Sequence, residues 1–192
     1  MFKPIHFTAL IALGGLAACS SSGGGVSYDE LVEDGEALAA FYEDAEIFPA
    51  GDLPTSGRAT YNGYMGFEVE GDEGGLDVGG KMEMTADFDP ASADPITGRV
   101  YDLASEEGSI GGSLRIDNST LDRNADPDEE WQFDADLTGT LSEDGDDFEV
   151  NAYIMGDFVG SEREGARGVV FGEISDEDGA SMDMEGGFVV ER

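Results

Sequence analysis

Beyond its first nineteen residues this chain has neither histidine nor cysteine: His6 and Cys19 are the only ones. A Ser-His-Asp or Cys-His nucleophilic system needs an imidazole, as does histidine-ligated zinc, copper or haem, so the body of the chain is closed to all of them. A lone cysteine cannot make an internal disulfide. Cations are scarce too, with 9 Lys and Arg against 44 Asp and Glu. Such a surface repels nucleic acid and anionic lipid, so no nucleic-acid partner is expected. No glycine-rich phosphate loop leads from a strand into a helix. In so acidic a chain composition cannot refute a two-carboxylate glycosidase, but nothing marks any pair as special, and no enzyme is expected.

What is present begins with Lys3 ahead of an apolar run from Phe7 through Leu16. That run is shorter than the roughly 20 residues of a spanning helix and reads as a secretory signal over residues 1–18. Leu16-Ala17-Ala18-Cys19 resembles the bacterial lipobox, which implies attachment to a lipid membrane through acylated Cys19; the alternative is a plain signal peptide with an incidental cysteine. Ser20 to Gly25 then reads as a flexible tether, and Ser20 resembles the preference for outer-membrane sorting. Lys3 leaves with the signal, so eight basic residues face 44 acidic ones, a formal charge of −36. The remaining 174 residues suit one domain.

A helical segment is expected over 27–48. Ser27 and Glu30 have capping-box spacing, Val26 and Leu31 are placed as a hydrophobic staple, and Leu31, Leu38, Phe41, Tyr42 and Ala45 share a face. Gly35 costs about 1 kcal/mol there, which leaves open two short helices. The expected role is an end-cap on the domain.

From residue 49 the pattern changes to a period of two. Between Gly57 and Gly71, Ala59, Tyr61, Gly63, Met65, Phe67 and Val69 alternate with polar positions, and seven further segments repeat the theme. They cover Leu76–Phe88, Ile96–Leu103, Gly112–Asn118, Trp131–Leu141, Phe148–Phe158, Arg167–Ile174 and Met182–Val190. Asp144-Gly145 and Asp178-Gly179 are hairpin signals. The expected fold is all-β, an eight-stranded antiparallel up-and-down barrel preceded by a short N-terminal helix. Dozens of unpaired carboxylates cannot line a lumen of that size, so the apolar face is expected inside. Strand pairing is expected to bring Met65, Met82, Met84, Met182 and Met184 to neighbouring inward positions, as packing or as a thioether site for a soft metal.

Three motifs, Pro54-Thr55-Ser56-Gly57-Arg58-Ala59-Thr60-Tyr61-Asn62-Gly63-Tyr64, Thr85-Ala86-Asp87-Phe88 and Ile96-Thr97-Gly98, resemble the β-barrel domain of transferrin-binding protein B and its relatives among bacterial surface lipoproteins. The resemblance implies an outer-membrane lipoprotein, anchored at the cell surface, that binds a protein or an iron- or haem-bearing ligand and passes it to an outer-membrane receptor. The namesake has two lobes, each with a handle domain, and this chain has one barrel. Its Val170-Phe171-Gly172-Glu173 stands where relatives show an aromatic pair and Gly-Pro, so transferrin binding is not carried over.

Strand direction puts the loops after the first, third, fifth and seventh strands at one end. These carry Asp72, Glu73, Glu106, Glu107, Glu143, Asp144, Asp146, Asp147, Asp176, Glu177 and Asp178, the candidate surface for a basic protein partner or divalent cations. The other end collects Arg58, Arg99, Arg123, Arg163, Arg167 and Arg192 and is expected to lie near the tether. Asp122, Asn124, Asp126 and Asp128 alternate like the start of a calcium loop, although Pro127 replaces its turn glycine and Phe133 its closing glutamate. A looser Ca2+ site is weighed there against a solvated acidic loop. The alternative to a binding module is a structural or envelope-maintenance lipoprotein facing the periplasm.

Overall fold

The computed structural model describes residues 26–71 and 74–192. A helix α1 (Tyr28–Tyr42) and a single 3-10 turn (Ala50–Asp52) precede eight strands: β1 (Arg58–Gly71), β2 (Gly74–Asp87), β3 (Ile96–Ser105), β4 (Gly108–Leu121), β5 (Phe133–Glu143), β6 (Asp146–Val159), β7 (Gly165–Ser175) and β8 (Ser181–Glu191). Each strand pairs antiparallel with the next, and β8 returns to β1 to close the barrel.

Alternation decides which side chains fill the interior. Tyr61, Met65, Met84, Ile96, Leu114, Leu137, Ile154 and Phe158 all point inward and are fully buried. The charged positions between them face out, so desolvation is avoided by geometry rather than by ion pairing. Phe158 sits among Tyr61, Phe88 and Phe133 at ring-centroid distances of 5.8, 5.5 and 5.3 Å. Inward glycines let the strands coil closely. At Gly98 a Cβ would run into the backbone of Glu83 and Met84, and at Gly172 it would lie 2.5 Å from the Ala152 side chain.

The wall is less regular than strict alternation. The β3–β4 register shifts between Val100 and Leu103, and the β4–β5 register between Asp117 and Thr120. Asp102 and Asn118 occupy these shifts with φ of 52° and 51°, a left-handed conformation that Asp and Asn tolerate better than most residues. Beyond the second shift Ser119 turns inward, where its hydroxyl accepts from the Ile96 amide at 2.7 Å and donates to Asp94 at 2.6 Å. β4 therefore runs on to Leu121, past the expected stop at Asn118. Trp131, expected in a strand, lies in the loop before β5 and is 38% exposed.

α1 is one helix, continuous through Gly35. Ser27 caps it, accepting from the Glu30 amide at 3.2 Å. It is not an end-cap; it lies along the outside of the wall, over β8, β1, β2 and β3. Leu31 packs on Gly79 of β2, Gly35 faces Tyr64 of β1, and Tyr42 sits against Gly165 and Val189. A Cβ on Gly35 would come within 3.3 Å of the Tyr64 Cβ, so this close approach offsets the helix propensity that glycine forgoes. Phe41, expected on the buried face, is 74% exposed. Capping falls instead to the segment after the helix: Ile47 bridges to Val159, Phe48 donates to the Phe158 carbonyl at 2.8 Å, and Leu53 enters the core.

The methionines do not form one cluster. Met84 lies opposite Tyr61 and Met184 opposite Val69, eight residues apart along β1 and so on the order of 26 Å. Met65, Met82, Met84 and Met184 are buried in the apolar core. Replacing Met82 and Met84 by leucine should cost under about 1.5 kcal/mol each in denaturant unfolding. A larger loss, or a copper-dependent rise in Tm that the double variant abolishes, would contradict packing as their role.

Candidate functional site

The short turns gather at one end of the barrel. Asp144-Gly145 forms the tight β5–β6 turn, with φ of 52° and 100°. Glu106 and Glu107 make the β3–β4 turn, where the Glu107 amide donates to Ser105 Oγ at 3.2 Å. In the β7–β8 turn the Asp176 carboxylate accepts from the Ala180 amide at 2.8 Å. Ser105 Oγ also reaches Glu143 Oε1 at 3.4 Å, which ties the ends of β3 and β5 across β4. Ser142 Oγ donates to Asp147 at 2.5 Å. Glu106, Glu107, Asp144, Asp146, Asp147, Glu177 and Asp178 are exposed, Glu143 and Asp176 half-buried, and no Lys or Arg stands among these turns. Asp72, Glu73 and Cys19 lie outside the described residues.

These carboxylates share a rim without converging. Among the described residues, no group of three or more Asp or Glu is arranged to hold a metal ion. That also applies to Asp122, Asn124, Asp126 and Asp128, in the β4–β5 loop at the opposite end. There Asp122 accepts from the Asn124 amide at 2.8 Å and Asp126 from the Asp128 amide at 3.1 Å, so each carboxylate closes a local turn.

The arginine end is built differently, because Arg123, Arg163 and Arg167 are taken up by the fold. Arg123 donates to the carbonyls of Leu53 at 3.0 Å and Phe88 at 2.6 Å. Arg163 lies over the rings of Phe48 and Phe88, at 4.9 and 5.7 Å from their centroids. Arg167 donates to the carbonyls of Tyr42, Glu43 and Ala45, at the C-terminus of α1 and just beyond it. Arg58 pairs with Asp87 at 2.8 Å, and Arg99 lies over Tyr101. The tether expected beside this end lies outside the described residues. α1 runs from Gly79 towards Gly165, so its first residue, Tyr28, lies near Asp77 and Glu106 on the acidic side. The chain thus enters from the acidic half and descends the wall to the arginine end.

One buried carboxyl carries no signal in the sequence. Asp157, on the outer face of β6, is 5% exposed and accepts from the Gln132 amide at 3.1 Å. Gln132 in turn bonds the Phe48 carbonyl and accepts from the Phe158 amide, so it joins the capping segment to the wall. Burial pushes the Asp157 carboxyl up to about 6, against the Gln132 hydrogen bond and the Arg167 charge, which pull it down. Only the fold brings these residues together.

Two shallow recesses, of about 310 and 330 Å3, lie on the outside of the barrel. One is lined by Leu38, Tyr64, Lys81, Tyr101 and Arg192, the other by Asp89, Pro95, Thr120 and Arg123. Comparison with known protein families, with characterised proteins and with solved structures finds no match.

The raised Asp157 pKa has a definite sign. Its native form holds a proton that the unfolded chain has released, so stability from this group falls as pH rises from about 4 to about 6, and the penalty is fully present above that. Asp157→Asn keeps the acceptor and removes the charge. The variant should match the wild type near pH 4 and exceed it by roughly 1–3 kcal/mol at pH 8 in urea unfolding. A difference independent of pH would contradict a buried, destabilised carboxylate.

Proposed function

We propose that the chain is an outer-membrane lipoprotein, held through acylated Cys19, whose barrel is a binding module for a protein or a metal- or iron-bearing ligand met at the acidic loop end. The observation that carries this reading is the contrast between a lumen filled by apolar side chains and a rim of turns bearing only carboxylates. Recognition then belongs to the outside, and a rim of one sign favours a basic protein through steering and complementarity. The resemblance to the barrel of transferrin-binding protein B supports the same class. α1 begins on the acidic side, and a rim lying towards the anchor would suit a partner seated in the same membrane, such as an outer-membrane receptor.

A filled lumen also suits a structural lipoprotein facing the periplasm, and protease treatment of intact cells separates the two. Cleavage without permeabilisation supports the binding module; protection supports the structural role. Cys19→Ala should move the protein to the soluble fraction, because acyl chains contribute about 0.8 kcal/mol per buried methylene. Retention on membranes would mean the barrel itself inserts. With a photo-crosslinker at Glu177, changing Glu143, Asp144, Asp146 and Asp147 together to Gln or Asn should cut the yield of adduct several-fold and flatten its salt dependence. Full yield from the neutralised turns would contradict a loop-end site.

A further inference from the structure

A closed sheet has no strand edge to lend, so a partner must be met by side chains. With α1 laid over β8, β1, β2 and β3, the wall around β6 and β7 carries an unusual surface. Tyr153 and Phe171 are cross-strand partners with ring centroids 6.0 Å apart, and they are 48% and 41% exposed. The next outward pair, Met155 and Val169, lies half-buried beside them. Four apolar side chains thus form a square where the outer face of this barrel is otherwise mostly polar. Exposed aromatics of this kind serve as anchors at interfaces because they bury much area for little lost rotamer freedom.

The frame of the square is acidic. On β5, Asp136 stands opposite Tyr153 and Asp134 opposite Met155. On β8, Glu185 stands opposite Phe171, and Glu173 follows along β7. Asn118 donates to Asp136 at 2.7 Å and Thr120 donates to Asp134, so neutral donors fix these carboxylates without cancelling their charge. Among the residues of strands β5, β6, β7 and β8 themselves the one Lys or Arg is Arg167, which is taken up by the carbonyls after α1, and Arg163 of the β6–β7 loop lies over Phe48 and Phe88.

We propose that this square is a docking surface for a basic protein segment, one that sets an apolar side chain on Tyr153 and Phe171 and brings Lys or Arg to the flanking carboxylates. A second copy of the chain is disfavoured, since it would press one acidic frame against another. The site uses none of the turn carboxylates, so it stands or falls apart from the loop-end reading.

The test is an NMR titration of the full chain with a synthetic Lys-Phe-Lys-Val-Lys peptide, against a Lys-Ser-Lys-Ser-Lys control. Docking predicts saturable shifts centred on residues 151–155 and 169–173, and about tenfold or weaker affinity for the serine peptide and for Tyr153→Ser with Phe171→Ser. Asp136→Asn with Glu185→Gln keeps the apolar square and should weaken binding while flattening its salt dependence. Changing Glu143, Asp144, Asp146 and Asp147 should leave this binding as it was. Equal affinity for both peptides, shifts centred on the turns, no saturable shift at all, or a concentration-dependent dimer through the square would each overturn the proposal.

Discussion

Hydrogen bonding between β1 and β8 is the constraint from which most of this molecule follows. Closing the sheet removes both edges and fixes an interior that only one face of each strand can fill. The described strands of this chain, which has 44 acidic residues, satisfy that condition by carrying their charges on the other face. Closure therefore separates the two demands on the sequence, packing inside and solvation outside. It also means that binding chemistry has to be sought in the loops and on the outer wall.

Few cations means that each one matters: Arg58, Lys81, Arg99 and Arg115 make surface ion pairs, whereas Arg123, Arg163 and Arg167 serve backbone carbonyls or aromatic faces. Arg167 closes the end of α1 and Arg123 ties Leu53 to Phe88. Charge-assisted bonds to partly buried carbonyls are worth more than exposed ion pairs such as Arg58–Asp87, which water and salt weaken. The outcome is polar asymmetry: one end is held shut by arginine, and the other keeps its carboxylates free of basic neighbours.

The strands were legible in the sequence because a period of two, interrupted by Gly, Pro and Asp-Gly, has few other readings. The inward set from Ala59 to Val69 matches the buried set of β1 apart from Gly63, which lacks a side chain. The bulges at Asp102 and Asn118 were not legible, since each is a single residue in an unusual conformation within an otherwise regular run. Nor was the course of α1. Helical spacing marks a face but not what the face meets, so Gly35 read as a weakness until Tyr64 was seen against it. The acidic turns were legible as a group because strand direction alone collects them. The Tyr153–Phe171 pair was not, because two solvent-side aromatics in separate strands show their register only once β6 and β7 are paired.

Amide hydrogen exchange across the β1–β8 seam tests closure most directly. In a closed barrel the amides of Gly66, Glu68, Glu185 and Gly187, which occupy the hydrogen-bonded positions of the seam, are protected to the same level as those of the β5–β6 pair and exchange only with global unfolding. Fast exchange along the seam beside slow exchange in β5 and β6 would show an open sheet, and the separation of a filled interior from an acidic exterior would no longer hold.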